Sequence, residues 1–207
     1  MEYEGVIFDL DGTLLESSKG DLSWLHGAVE DVFSDRNVDG LDEGELEVLA
    51  GLGSKSDFVS KCNELGVDPE SFWRSVEDAR AKRKIDYVKN GGMSLCRGAE
   101  ELLKYLNDKG VRCGVVSNSP DPSVDLIIRH FDIDQYLHFY RGVKGLKDFG
   151  RRKPEPDHLE MALAEIRRSP CVYVGDSSVD VETAERAGMD SIRVSKDSNL
   201  LELKHKL

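Results

Sequence analysis

The sequence lacks any apolar run of the roughly 20 residues that a membrane-spanning helix requires. It also begins with an acidic segment, Met1-Glu2-Tyr3-Glu4, that leads directly into an apolar run, which is not the pattern of a secretory signal. From these two absences we expect no membrane partner and a location in the cytoplasm.

Cysteine and histidine patterns that are typical of metal or disulfide sites are absent as well. None of the four cysteines belongs to a Cys-x-x-Cys pair, and the five histidines are scattered without metal-ligand spacing. This argues against a zinc site and a disulfide framework, and it fits a reducing compartment. Cys113 and Cys171 lie within apolar runs, so we predict that both are core residues.

Positive charge is scarce relative to negative charge. The chain carries 40 acidic and 28 basic residues, so its formal net charge is −12. A surface with this excess repels polyanions, and nucleic acid is therefore not an expected partner. For the assembly state we expect a monomer or a dimer.

The order of apolar patterns divides the chain into three stretches. Residues 1–16 contain a short apolar strand, Val6-Ile7-Phe8, residues 17–92 contain only helical patterns, and residues 93–207 alternate strands with helices. Short apolar strands separated by helices predict a parallel sheet with helices on both faces. We therefore predict an α/β, Rossmann-like core formed by residues 1–16 and 93–207, with residues 17–92 inserted as an all-helical cap domain.

Polar side chains follow three of the predicted strands at the point where each strand ends. They are Asp9, Asp11 and Thr13 after the first strand, Ser117 and Asn118 after the strand at 111–116, and Asp176 and Asp180 after the strand at 171–174. Lys153 stands in a loop just before Pro154. Because the carboxyl ends of parallel strands meet at one edge of a sheet, we expect these side chains to converge there.

The residue types in this group predict a cation site. Asp9 and Asp11 are two residues apart, so an extended backbone points both side chains to the same side, and Asp176 joins them from another strand. At about 5 Å and an effective dielectric constant near 20, two carboxylates repel each other by roughly 3 kcal/mol. A divalent cation relieves this repulsion, and a site of oxygen ligands suits Mg²⁺.

The remaining polar groups predict a site for a phosphoryl group. Lys153 offers a compact positive charge, Thr13 and Ser117 offer hydroxyls, and Asn118 offers hydrogen-bond donors. A cation, a lysine and several donors together complement the oxygens of a phosphoryl-transfer transition state.

This pattern resembles the haloacid dehalogenase-like hydrolase superfamily. Asp9-Leu10-Asp11-Gly12-Thr13 resembles its first motif, Ser117 its second, Lys153 its third, and Gly175-Asp176 through Asp180 its fourth. The helical insert is similar to the cap of the subgroup that contains phosphoglycolate phosphatases and β-phosphoglucomutases. The resemblance implies a Mg²⁺-dependent phosphatase acting on a small phosphorylated metabolite through an aspartyl-phosphate.

The resemblance also implies roles for individual residues. Asp9 is the expected nucleophile, and Asp11 is the expected acid and base. Ser117 and Lys153 are expected to hold the phosphoryl group. The expected metal ligands are Asp9, the backbone carbonyl of Asp11, and Asp176, with support from Asp180.

Substrate choice is expected to depend on the cap. Lys55, after the loop Gly51-Leu52-Gly53-Ser54, stands where the family has a specificity loop and could meet a second anionic group. The basic run at 80–84 is predicted to be a solvated helix face. The basic segment at 142–152 is predicted to be a solvated loop, or else to attract an anionic substrate.

Three other functions remain open from the sequence. A phosphomutase of the β-phosphoglucomutase type would share the aspartyl-phosphate but return the phosphoryl group to a sugar. A phospho-signalling receiver domain also places acids, a hydroxyl residue and a lysine at strand ends, although the Asp9-x-Asp11 pair and the insert argue against it. A non-catalytic phosphate-binding protein is the third alternative, although all the expected polar groups are present.

Overall fold

The computed structural model describes residues 2–17, 22–34, 40–195 and 197–207. The strands are β1 (Gly5–Phe8), β2 (Leu15–Ser17), β3 (Met93–Leu95), β4 (Arg112–Pro120), β5 (Leu137–Val143), β6 (Cys171–Gly175) and β7 (Asp190–Arg193). The α-helices are α1 (Ser23–Phe33), α2 (Glu43–Leu49), α3 (Lys55–Glu64), α4 (Pro69–Lys89), α5 (Ala99–Asp108), α6 (Asp121–His130), α7 (Asp157–Ile166) and α8 (Ser178–Arg186). No helix among these described residues is long and apolar enough to cross a membrane.

Five parallel strands form the main sheet, in the order β5-β4-β1-β6-β7. All four residues of the central strand β1 are buried. Val6 and Phe8 pack into a cluster that includes residues of α5 and α6, whereas Ile7 packs into a second cluster with residues of α7 and α8. Helices therefore cover both faces of the sheet, and the predicted α/β, Rossmann-like fold is confirmed.

Four helices, α1 to α4, lie between β2 and β3 and pack around their own hydrophobic cluster. Phe58, Phe72 and Trp73 are buried in that cluster with close ring contacts. The helical insert was expected, but the strands that flank it were not. β2 and β3 pair antiparallel, so the chain enters and leaves the insert through a short two-stranded sheet.

The basic segment before Lys153 is not simply a solvated loop. Leu146 and Phe149 belong to the hydrophobic cluster of the cap, and the Phe149 ring centroid lies 4.9 Å from that of Trp73. The Arg152 guanidinium lies 3.5 Å from the Phe149 ring centroid and donates to the carbonyls of Gly51 and Gly53 in the cap. A segment of the core thus packs into the cap through these apolar side chains and the Arg152 contacts.

One predicted boundary differs from the structure. β4 continues to Pro120, beyond the predicted end at Val116, so Ser117 and Ser119 both lie within it. Residues two apart on a strand share a face, and this extension brings Ser119 to the same side as Ser117.

Candidate active site

The register of the sheet places the ends of three strands side by side. Phe8 of β1 pairs with Val115 of β4 and with Val174 of β6. The residues that follow these positions therefore emerge at one edge of the sheet. Asp9, Ser117, Asn118, Lys153 and Asp176 all line a cavity of about 390 Å³ at this edge, as does Asp11.

Three carboxylates form a cluster beside this cavity, which we call the acid cluster: Asp9, Asp176 and Asp180. One carboxylate oxygen from each lies within 4.8 Å of the others. Asp180 is positioned by a capping box at the start of α8. Its backbone N–H donates to Ser177 Oγ at 3.2 Å, and its carboxylate accepts from Ser177 N at 3.0 Å. The structure therefore brings together the carboxylates of three of the residues that were predicted to surround a metal, and Asp11, whose predicted ligand is a backbone carbonyl, lines the same cavity.

Lys153 is almost fully buried and joins two members of the acid cluster. Its Nζ lies 2.7 Å from Asp9 Oδ1 and 2.6 Å from Asp180 Oδ1. The hydroxyl of Tyr173 accepts a third hydrogen bond from Lys153 Nζ at 3.0 Å. Asn118 fixes the backbone of this lysine, since its amide accepts from Lys153 N at 2.9 Å and donates to Lys153 O at 3.1 Å.

The acid cluster carries more negative charge than Lys153 can balance. Burial raises the pKa of Asp9 to about 7, although the Lys153 ammonium opposes the rise, and the charge of Asp180 adds to it. Burial and the charge of Asp180 also raise the pKa of Asp176. A cluster of oxygen ligands with unbalanced negative charge is the donor set that a hard divalent cation requires, so the residues present fit Mg²⁺.

Asp11 is held differently from the acid cluster, and its carboxylate is not part of it. Lys84 Nζ on α4 donates to Asp11 Oδ1 at 2.6 Å, and Ser119 Oγ donates to Oδ2 at 2.7 Å. Burial by itself would raise the pKa of Asp11, but Lys84, Ser119 and the charge of Arg80 together lower it below its ordinary value.

The basic run at 80–84 was predicted to be solvated, and for two of its residues this is wrong. Arg80 and Lys84 are buried, whereas Lys82 is exposed. The signal that could have identified them is their place on the helix: buried Trp73 and Val76, Arg80, Lys84 and buried Val88 follow one another at spacings of three and four. Lys55 is exposed at the start of α3 and does not line the cavity beside Asp9.

A second, mainly apolar cavity of about 250 Å³ adjoins the first under the cap. Trp24, Leu25 and Met93 contribute to its wall. Asp11, Leu52, Arg80 and Ser119 line both cavities. The two spaces therefore meet where cap residues face Asp11.

Thr13 is the predicted phosphate-binding residue that the structure does not bring to the cavity. It is buried, its Oγ1 has no hydrogen-bond partner in the described part of the chain, and it is not among the residues that line the space beside Asp9. Besides Arg80 and Lys84, sequence reasoning missed two residues of the site, Ser119 and Tyr173. Ser119 could have been found from its spacing of two from Ser117. Tyr173 lies within an apolar strand run, where nothing in the sequence separates it from a core residue.

The chain is similar in sequence to several known proteins. The chain is 29% identical over 185 residues to a phosphoglycolate phosphatase from Cereibacter sphaeroides, covering 89% of this chain and 82% of that protein. It is 33% identical over 193 residues to the tyrosine-protein kinase PtkA of Mycobacterium tuberculosis, covering 91% of this chain but only 61% of that protein.

Among solved structures, CbbY from Rhodobacter sphaeroides in complex with xylulose-(1,5)bisphosphate has a similar fold. The TM-score is 0.70 at 22% sequence identity, and the match covers 93% of this chain and 86% of that one. The family model described as haloacid dehalogenase-like hydrolase matches residues 6–194. The chain therefore belongs to the haloacid dehalogenase-like hydrolase family.

Proposed function

We propose that this protein is a Mg²⁺-dependent phosphatase that hydrolyses a small phosphorylated metabolite through an aspartyl-phosphate on Asp9. The observation that carries the proposal is the acid cluster, bridged by Lys153 and placed beside Asp11 at one sheet edge. The similarity to a phosphoglycolate phosphatase supports phosphoglycolate, or a metabolite of similar size, as the substrate. A cytoplasmic location and a monomeric or dimeric state remain predictions.

Asp9, Asp176 and the backbone carbonyl of Asp11 would hold the metal, with Asp180 in support. The close approach of three carboxylates is the feature that supports this assignment. When bound, Mg²⁺ neutralises charge on these carboxylates and on the phosphoryl oxygens. Lys153, Ser117 and Asn118 line the same cavity and would bind the phosphoryl group. Thr13 was also predicted to do so, but its buried hydroxyl lends this role no support.

The reaction requires one nucleophile and one group that exchanges a proton. An oxygen of Asp9 forms a bond to phosphorus as the bond to the ester oxygen breaks, and Asp11 gives its proton to that oxygen. A water molecule then gives a proton to Asp11 and bonds to phosphorus, the bond from Asp9 to phosphorus breaks, and inorganic phosphate leaves. Lys84 and Ser119 donate hydrogen bonds to the two carboxylate oxygens of Asp11 and orient it for this exchange.

The test is the substitution Asp9→Asn, assayed with p-nitrophenyl phosphate and Mg²⁺. We expect turnover to be lost while the circular dichroism spectrum is kept, because an amide is a poor nucleophile of nearly the same shape. Asp108→Asn, at an exposed position on α5, is the matched control and should keep full activity. Near-normal turnover by Asp9→Asn would refute the assignment of the nucleophile.

The phosphomutase alternative predicts a different product from the same residues. A panel of about a hundred phosphorylated metabolites, assayed for released phosphate and for isomeric sugar phosphates, separates the two reactions. Free phosphate supports the phosphatase, and an isomeric sugar phosphate supports the mutase. A receiver domain or a non-catalytic binding protein would give neither product catalytically.

A further inference from the structure

Arg80 is a buried cation with little compensation from the protein. Its side chain comes from cap helix α4, is only 6% exposed, and lines both cavities. Its Nη1 donates to the carbonyl oxygen of Ala50 at 2.7 Å. Its Nε is buried and has no hydrogen-bond partner among the residues that the structure describes.

The acidic groups near Arg80 are already engaged elsewhere. Both carboxylate oxygens of Asp11 accept hydrogen bonds, from Lys84 and from Ser119. Glu77 accepts from the backbone N–H of Gly145 at 3.1 Å. Within the described ranges, no carboxylate lies within ion-pair distance of the Arg80 guanidinium.

Burial makes this arrangement costly. It lowers the pKa of Arg80 to about 10, with the charge of Asp11 opposing the fall and the charge of Arg152 adding to it. A buried charge in a folded protein is normally paired and hydrogen-bonded. The wall of the catalytic cavity therefore presents a guanidinium that lacks an anion.

We propose that Arg80 binds a second anionic group on the alcohol side of the substrate. The enzyme would then select phosphate monoesters that also carry a carboxylate or a second phosphate. This inference rests on the proposed phosphatase function and adds a specificity-determining residue to it. Asp9 and Lys153 line the same cavity as Arg80, so a substrate with two anionic ends can place one at each. The planar fork of a guanidinium suits both carboxylate and phosphate.

The other cations near the site fit this role less well. Lys84 is held by Asp11 and Ser119. Arg152 directs its guanidinium to the carbonyls of Gly51 and Gly53. Lys55, the residue that the sequence suggested for a second anionic group, is exposed and lines neither cavity.

The experiment compares esters that differ only in the second charge. Phosphoglycolate is paired with 2-hydroxyethyl phosphate, and 3-phosphooxypropionate with 3-hydroxypropyl phosphate. The two pairs test two distances between the phosphate and the second anionic group. For the wild type we expect kcat/KM to be about 10- to 100-fold higher for the acid of at least one pair, as for a buried contact to an anion. In Arg80→Gln we expect this ratio to fall to about 1.

Two further variants control for damage to the cap. Arg80→Lys keeps the positive charge but loses the planar guanidinium, so it should give an intermediate ratio of kcat/KM between acid and alcohol. Lys82→Gln, exposed on the same helix, should keep the wild-type ratio. Melting temperatures of all variants identify any that fail to fold, and Arg80→Lys then carries the test.

Equal kcat/KM values for acid and alcohol in the wild type would overturn the inference, as would a wild-type ratio in a folded Arg80→Gln variant. If the wild type hydrolysed none of these esters and no p-nitrophenyl phosphate, the phosphatase proposal would be refuted instead. The Arg80 contact can still be tested in that case by calorimetric binding of the same esters to Asp9→Asn. If Asp9→Asn bound the acid and the alcohol of each pair with equal affinity, the proposed role of Arg80 would be overturned.

Discussion

Nζ of Lys84, on cap helix α4, lies 2.6 Å from Oδ1 of Asp11, in the segment that follows the core strand β1. Ser119 of β4 completes the arrangement, since its hydroxyl donates to the other oxygen of the same carboxylate. Asp11 is therefore oriented by the cap and by the core at once. The proton-transfer group of the proposed reaction depends on a residue from the inserted helices.

Replacing Lys84 with methionine tests this dependence. Lys84→Met removes the contact that orients Asp11, and we expect kcat for p-nitrophenyl phosphate to fall about 10-fold or more, within the range that acid–base catalysis contributes. The free energy of unfolding should also fall, by about 1 to 3 kcal/mol, because Asp11 loses its charged partner while its carboxylate stays partly buried. Steady-state kinetics and urea denaturation measure the two quantities.

The control for this substitution is Lys82→Met, which alters an exposed lysine of the same helix. It should leave both kcat and stability near the wild-type values. If Lys84→Met kept its full kcat, the orientation of Asp11 by the cap would have no catalytic importance.

The crowding of Asp176 with the other acids gives a second prediction. In Asp176→Asn, the loss of one charge relieves repulsion, and we expect the melting temperature without metal to rise by about 1 to 3 °C. Wild-type protein at a Mg²⁺ concentration 100-fold above its Kd should gain about 2.7 kcal/mol, and the variant should lose most of this gain.

Thermal melts with and without Mg²⁺ measure both effects of Asp176→Asn. Glu185→Gln, at an exposed position on α8, serves as the control and should respond to Mg²⁺ as the wild type does. An equal Mg²⁺ response in Asp176→Asn would mean that this residue is not a ligand.

Gly12 supplies a third prediction, because its backbone and its surroundings both require glycine. Its φ is +88°, and a Cβ at this position would lie 2.5 Å from Asp176 Oδ2. Gly12→Ala should cost about 1 kcal/mol or more from the backbone conformation. It should also displace the Asp176 carboxylate, and we expect Mg²⁺ affinity to fall about 10-fold or more, as when the support of a metal ligand is lost.

Gly110 provides a matched comparison for Gly12. Its φ is +76°, but a Cβ there would meet nothing within 4 Å. Gly110→Ala should therefore cost a similar free energy of unfolding without changing Mg²⁺ affinity in calorimetric titrations. A similar loss of affinity in both variants would contradict the link between Gly12 and Asp176.

Much of the core could be predicted because its signals are local. A buried strand such as β1 is a short apolar run, and the polar residues that follow such runs reach the same sheet edge. This reasoning identified Asp9 and Asp176, whose carboxylates the structure brings together, whereas Lys153 was assigned to the site from a loop position before Pro154. The same reasoning did not distinguish Thr13 from the site residues, although Thr13 is buried away from the cavity. Thr13 lies in a turn after β1, and the sequence does not indicate where a side chain in a turn points.

The cap contribution could not be predicted in the same way. Arg80 and Lys84 are charged, and a charged residue on a helix usually lies on its solvent-exposed face. Here both are buried because they contact Ala50, Asp11 and Ser119, which are distant in sequence. The short strands β2 and β3 were missed for a related reason. Three residues each are too few to give an alternating pattern, and their pairing forms only when the two ends of the insert meet.

The contact of Arg152 with the cap leads to a fourth prediction. Arg152→Ala removes hydrogen bonds to the carbonyls of Gly51 and Gly53 and the stacking of the guanidinium on Phe149. Together these contacts should contribute about 2 to 3 kcal/mol to the free energy of unfolding. Denaturant unfolding measures this cost.

Hydrogen exchange shows where the effect of Arg152→Ala is located. The amides of Gly51 and Leu52 donate to carbonyls at the end of α2, and they should exchange faster once the loop is no longer held by the core. The control is Arg151→Ala, whose side chain is 55% exposed and, among the described residues, makes two long ion pairs at 3.5 and 3.7 Å. It should cost less than about 0.5 kcal/mol and leave exchange unchanged. Equal effects of the two substitutions would mean that the cap loop is held by its own helices. A selective effect of Arg152→Ala would mean that the position of Leu52, which lines both cavities, depends on the residue that precedes Lys153.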